Sequence, residues 1–237
     1  MLINNRYRFI FMHVPKTGGT TVHTVLHQLG GPADIDLGGV KELKGNLGNS
    51  RKSVVQNDLY KEEYGLHKHT KVRQARKILG ESLFNSYFVF AFVRNPFSRT
   101  YSSFHYAKRF RVMDGALDRM TFSDYLRTDI FENLRIQGSQ SQAEFLQPLD
   151  RMDMICRFER LEADLRRVLE VILRRNVARV ELPHLNKSVA TDGWRAMAEA
   201  DKDIIRRVLA RDFEELGYDP EDGSVCREFG DTFPPPA

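Results

Sequence analysis

The stretch HVPKTGGTT, residues 13 to 21, concentrates side chains and backbone types suited to holding an anion. Gly18 and Gly19 let backbone N–H groups approach a ligand closely, Lys16 brings a mobile positive charge, and Thr17, Thr20 and Thr21 bring hydroxyls. The flanking pattern predicts a strand from Arg6 to Val14, carried by Phe9, Ile10, Phe11, Met12 and Val14. It predicts a helix after the loop, with Val22, Val25, Leu26 and Leu29 at the 3.6-residue period. A loop at a strand-to-helix junction aims the first, unpaired helical amides at its ligand, so a phosphate-like group is expected there. A tight turn made by the two glycines is the plainer alternative. The order is not the Walker one, because Lys16 precedes both glycines and no Gly-Lys-Ser/Thr ending follows, and G-x-G-x-x-G is absent as well.

A second stretch, YFVFAFVRNPFSRTYSSFHY from Tyr87 to Tyr106, opens with a continuous apolar run suited to a buried strand of a parallel sheet. Arg94 falls where that strand ends. Asn95 and Pro96 break the run, and proline is accepted at the first helical position, so a helix is expected to begin there. Arg94, Arg99 and Ser102 can then face one opening, where guanidinium donors would suit a second phosphate. On the alternative reading Arg99 is a surface residue and Ser102 a small packing residue.

The elements that must position these loops are legible in outline. A helix is expected from about Thr70, within the basic run His67, His69, Lys71, Arg73, Arg76 and Lys77, which suits either an acceptor-facing surface or a solvated helix face. Met154 to Phe158 reads as a buried strand, and Leu161, Leu165, Val168, Leu169 and Ile172 as an amphipathic helix after it. Lys202 to Phe213 repeats the helical pattern until Gly217 stops it. Gly30 to Ser53 reads as a long loop, for which a functional lid is one explanation, and Gly230 to Ala237 as a Pro-rich tail.

Composition sets bounds. A chain of 237 residues, 41% hydrophobic, can bury one substantial core and fits a single α/β domain. Thirty-six Lys plus Arg against thirty-two Asp plus Glu leave a charge of +4, a modest bias toward anionic ligands. No run is long and apolar enough for a membrane span, and MLINNRYRF lacks the apolar region of a secretion signal, so a cytoplasmic protein is expected. Cys156 and Cys226 match neither a disulfide framework nor a metal-ligand spacing. Nucleic-acid binding is not expected, since the aromatic residues sit in apolar strand patterns rather than between basic ones.

HVPKTGGTT followed by FAFVRNPFSRTYSSF resembles the sulfotransferases that use 3'-phosphoadenosine 5'-phosphosulfate (PAPS), in particular the branch containing the Golgi carbohydrate sulfotransferases. The resemblance continues through Cys156-Arg157-Phe158-Glu159 with Leu161 and Asp164, the polar loop His184-Leu185-Asn186-Lys187-Ser188, and the closing segment Asp212 to Tyr218. It runs from about residue 8 to 220 and is thin between 30 and 65, where acceptor specificity is expected to be set. It implies one P-loop-type three-layer α/β/α domain with a central parallel sheet, residues 1–229, followed by the tail, 230–237. It also implies that Pro15, Lys16, Thr17, Gly18, Gly19, Thr20 and Thr21 hold the 5'-phosphosulfate, with Lys16 facing the sulfuryl group. Arg94 and Ser102, with Arg99 nearby, would hold the 3'-phosphate. PAPS would be the donor, no metal would be required, and the acceptor would be a saccharide or glycolipid hydroxyl. The missing anchor departs from the Golgi members and suggests a soluble bacterial enzyme.

Sulfuryl transfer needs a held donor, an acceptor hydroxyl in line with sulfur, a base, and positive charge where the bridging oxygen departs. Seven histidines compete for the role of base. By resemblance His69, in a segment ahead of the 3'-phosphate strand, matches best and His67 second. His13, His105, His184 and a carboxylate remain open, and His27 on a helix face reads as structural. Two other classes fit an anion loop: a non-catalytic module binding a nucleotide or an anionic glycan, and a small-molecule kinase. The latter is disfavoured by the missing hydroxyl for Mg2+ after a Gly-Lys pair.

Overall fold

A computed structural model of the chain describes residues 1–31, 33–37, 59–175, 177 and 193–229. The expectations for most of the Gly30–Ser53 loop, for His184 to Ser188 and for the tail lie outside these residues. Strands β1 (Leu2–Asn4), β2 (Phe9–Met12), β3 (Ile35–Asp36), β4 (Phe88–Val93) and β5 (Met154–Arg157) form one sheet in the order β3-β1-β2-β4-β5. The helices are α1 (Gly19–His27), α2 (Val72–Leu79), α3 (Glu81–Asn85), α4 (Pro96–Arg109), α5 (Phe122–Leu126), α6 (Asp129–Glu132), α7 (Gln142–Leu146), α8 (Leu161–Leu173), α9 (Glu199–Val208) and α10 (Ala210–Leu216).

The sheet is mixed, which corrects the expectation of a central parallel sheet. β2, β4 and β5 run parallel, whereas β1 pairs antiparallel with both β2 and β3. Only four residues, Asn5 to Arg8, separate β1 from β2, and so short a connection can join antiparallel neighbours alone. Buried Asn4 shapes this hairpin by accepting the Tyr7 N–H at 2.7 Å and donating to Asp34 Oδ2 at 2.7 Å. The segment that reads as one long strand from Arg6 is therefore a turn followed by β2.

Strand periodicity sorts the core into two faces. Phe88, Phe90 and Phe92 pack with Phe9, Phe11 and Cys156 against α1 and α8, through Val22, Val25, Leu26, Leu165, Val168 and Leu169. Val89, Ala91 and Val93 join Ile10, Met12 and Ile155 on the other face, beneath Phe97, Phe104, Phe131, Phe145 and Phe213 of the remaining helices. The helix after β2 thus covers one face and the helix after β4 the opposite one. The two connections diverge at the carboxyl ends of adjacent parallel strands, where α/β folds open a ligand crevice.

α4 begins at Pro96 as expected, with Asn95 as its cap: the Asn95 side-chain Oδ1 accepts the Ser98 N–H at 3.1 Å. The expected single helix over Lys202 to Phe213 is instead two, α9 and α10, hinged at Leu209. Gly217, with φ 66°, ends the second. The break turns buried Asp212 inward, where Oδ1 accepts from Ser141 Oγ at 2.6 Å and the Ala143 N–H at 3.0 Å, and Oδ2 accepts the Gln142 N–H at 3.0 Å. Asp212 thereby satisfies the open amides of α7.

Candidate active site

The loop from His13 to Gly18 leaves β2 and enters α1 through Gly18, whose φ of 78° is easy only for glycine. A Cβ on Gly19 would lie 2.0 Å from His13 Nε2, so this glycine is required by close approach of the buried imidazole. Buried Thr17 ties the loop to itself by donating from Oγ1 to the Val14 carbonyl at 2.9 Å. Thr20 is partly buried, and the Thr21 N–H returns to the Gly18 carbonyl at 3.0 Å. Lys16 adopts φ 67°, a costly conformation for a residue with a Cβ, and its Nζ lies 3.9 Å from the centre of the Tyr106 ring on α4.

Arg94 follows β4 directly. Its guanidinium donates from Nε to Ser98 Oγ at 2.7 Å and from a terminal nitrogen to the Lys16 carbonyl at 3.4 Å, and lies over the Phe158 ring at 4.1 Å. Its backbone is clamped by Gln142, whose Oε1 accepts the Arg94 N–H at 2.9 Å and whose Nε2 donates to the Arg94 carbonyl at 2.7 Å. Asp212 orients Gln142, so α10, α7 and the end of β4 form one buried network.

Arg99 does not share the opening with Arg94. It is 1% exposed, donating from Nε to the Pro15 carbonyl at 2.9 Å and from a terminal nitrogen to the Gln140 carbonyl at 2.7 Å. It braces the anion loop from beneath. Ser102 lies one turn beyond Ser98 on α4, half-buried. A cavity of about 400 Å³ opens beside Arg94, lined by Asn95, Ser98, Phe158, Glu159 and Trp194 together with the 222–224 turn. The roles of Ser98, Gln142 and Asp212 in this network escaped the sequence reading. Only the i, i+4 spacing of Arg94 and Ser98 on one helix entry could have signalled any of them.

The electrostatics follow from packing cations together. Burial, joined by the charges of Arg94, Arg99 and Lys68, lowers the Lys16 ammonium from its ordinary 10.5 to about 8. Burial likewise brings Arg94 and Arg99 to about 10, partly opposed by Glu159 for the first and by Asp212 for the second. All the charges acting on Lys16 are positive. A half-buried lysine among like charges is the kind of group that an anionic ligand would relieve.

The two histidines favoured as a base sit in one turn but have opposite tautomers. His69 Nδ1 lies 2.8 Å from the His13 carbonyl, which only accepts, so Nδ1 carries the hydrogen and Nε2 keeps the lone pair. His67 Nδ1 accepts the His69 backbone N–H at 3.2 Å, so its hydrogen is on Nε2. Burial holds His69 down to about 3 and His13 well below its ordinary value, and keeps both imidazoles neutral. Their rings meet edge to face at 4.9 Å. His105 lies against Tyr101 on α4, with ring centres 4.3 Å apart.

This geometry has a counterpart among known proteins, for the model of the sulfotransferase family matches residues 1–219. The chain belongs to the sulfotransferase family. No curated protein and no solved structure matches it significantly. The match spans β1 through α10, so the anion loop, Arg94 and the network behind it all lie within the sulfotransferase domain, and the activity is that of a PAPS-dependent transferase. Among the described residues of this sulfotransferase no helix is long and apolar enough to cross a membrane.

The expectation that no metal is involved is corrected by a cluster away from the anion loop. His23 Nε2 lies 2.6 Å from Asp36 Oδ1 and His27 Nδ1 lies 2.5 Å from Asp36 Oδ2, with all three ligand-type atoms within 4.8 Å of one another. His27, read from the sequence as structural, is one of the three. The donor set of two imidazoles and a carboxylate is one that can hold a metal ion.

Proposed function

We propose that the enzyme transfers the sulfuryl group of PAPS to a hydroxyl of a saccharide or glycolipid, with the donor bound across the two loops. The observation that carries this reading is Lys16, a half-buried ammonium over the Tyr106 ring, lowered to about 8 by burial and by the nearby charges of Arg94, Arg99 and Lys68. The residues from Pro15 to Thr21 cradle the 5'-phosphosulfate, with the first amides of α1 aimed at its oxygens. Arg94, steadied by Ser98, takes the 3'-phosphate. Ser102 assists from the next turn of α4, and Arg99 holds the Pro15 carbonyl and hence the loop. The cavity beside Arg94 suits the nucleoside, with the rings of Phe158 and Trp194 as stacking surfaces.

His69 Nε2 takes the proton as the acceptor oxygen forms its bond to sulfur. The bond from sulfur to the bridging oxygen breaks, its electron pair stays on the departing 5'-phosphate, and the Lys16 ammonium offsets that charge. The tautomers favour His69 over His67, because only His69 offers a lone pair on the outer nitrogen. The polyanionic donor raises the proton affinity of both Lys16 and His69, countering the Lys68 charge that lowers each.

Calorimetric titration with 3'-phosphoadenosine 5'-phosphate, against ATP plus Mg2+ and adenosine 5'-phosphosulfate, tests the donor site. Selective binding of the 3'-phosphorylated nucleotide is expected. Preference for ATP plus Mg2+, or no nucleotide binding, would overturn the assignment.

A further inference from the structure

We propose that His23, His27 and Asp36 form a binding site for a divalent transition-metal ion of the zinc class, one that staples the helix carrying the anion loop to the edge of the sheet. His23 and His27 are four residues apart on α1 and therefore lie on one helix face, one turn apart. Asp36 arrives from a different element, β3, whose pairing with β1 places its carboxylate between the two imidazoles. One carboxylate oxygen faces each ring. This convergence of N, N and O donors suits Zn2+ or a neighbouring first-row ion and not Mg2+ or Ca2+, which prefer oxygen shells.

The dimensions permit the exchange. Zinc bonds of about 2.0–2.2 Å separate tetrahedral ligand atoms by roughly 3.3–3.6 Å. The present contact of 2.6 Å between His23 and Asp36 is a hydrogen bond, and a small rotation of the carboxylate would open it to that spacing. The ion would replace the proton on each facing nitrogen. His23 is 2% exposed and Asp36 10% at the side chain, which leaves His27, at 23%, as the solvent-facing side through which an ion enters and water completes the shell.

His23 stands midway along α1 and His27 is its last residue, so the cluster lies one to two turns beyond the anion loop. None of its members touches Lys16, Arg94 or His69 among the contacts described above. Its role is accordingly to fix α1 against β3, and the proposal stands independently of the donor assignment.

The test uses the full chain, freed of any affinity tag and stripped with chelator. Zn2+ is titrated by calorimetry, Co2+ by its visible absorption, and Mg2+ serves as the control. Expected is one Zn2+ per chain, a Co2+ spectrum of a low-symmetry site, and a melting temperature raised by Zn2+ but not by Mg2+. His27→Gln, at the exposed side, should weaken Zn2+ binding by at least about tenfold, since loss of an outer partner alone costs that much at metal sites. Asp36→Asn keeps the shape and an acceptor oxygen but should lose both the Co2+ spectrum and the Zn2+-dependent melting shift. Binding of 3'-phosphoadenosine 5'-phosphate should be unchanged in His27→Gln, which separates this site from the donor site. No Zn2+ uptake by the folded wild-type chain, or uptake unaltered by both substitutions, would overturn the proposal and leave the trio a hydrogen-bonded clamp.

Discussion

Replacing Lys16 by Met should make the unliganded protein more stable while removing its transfer activity. The Lys16 ammonium is lowered from 10.5 to about 8 by burial and by Arg94, Arg99 and Lys68. At about 1.4 kcal/mol per tenfold change in proton affinity, keeping that charge in the folded protein costs about 3.5 kcal/mol as an upper bound. The Tyr106 ring at 3.9 Å returns about 0.5–2 kcal/mol of this. Methionine retains the length and packing of the stem at the same backbone angle and carries no charge, so a net gain of up to about 1.5–3 kcal/mol is expected. For a chain of this size that is a rise in melting temperature of up to roughly 3–12 °C.

The pH dependence fixes the sign. Because the folded state holds this proton less tightly than the unfolded state, the cost is fully present below about pH 8. It is relieved between about 8 and 10.5, where the wild type gains stability with rising pH. The gap between variant and wild type should be widest at pH 7 and close toward pH 10. Differential scanning fluorimetry across this range, backed by urea unfolding at pH 7, measures it. A Lys16→Met protein that melts lower than wild type at pH 7, or a gap independent of pH, would refute the account of Lys16 as a cation awaiting an anion.

Two further outcomes separate the proposed roles. Arg94→Ala should weaken 3'-phosphoadenosine 5'-phosphate by at least about tenfold, the loss of a charge-assisted pair, while sparing adenosine 5'-phosphosulfate; equal losses in calorimetry would remove Arg94 from the 3'-phosphate site. His69→Gln should leave donor affinity near wild type and lower kcat by about a hundredfold or more, with His67→Gln far milder; single-turnover transfer from PAPS decides, and the reverse ranking would assign the base to His67.

The legible part of this protein was local. Apolar runs marked β2, β4 and β5, helical periodicity marked α1 and α8, and the Asn95-Pro96 pair marked the start of α4. These signals depend on neighbouring residues, as do the two glycines of the anion loop, and so survive in one dimension. The direction of β1 was not legible, because a three-residue strand carries too little pattern and its pairing is set by the hairpin and by Asn4. Tertiary structure also decided which side chain serves which purpose. Arg99, spaced in sequence like a phosphate ligand, is buried against the Pro15 and Gln140 carbonyls, while Ser98 steadies Arg94. Gln142 and Asp212 entered the site only when α7 and α10 packed behind β4. The two tautomers that distinguish His69 from His67 depend on a carbonyl fifty-six residues away for one and an amide two residues away for the other. The joining of His23 and His27 to Asp36 depends on the pairing of β3 with β1. Chain chemistry determined which loops could hold an anion. Packing decided which groups face it, because orientation, burial and protonation are properties of neighbours in space.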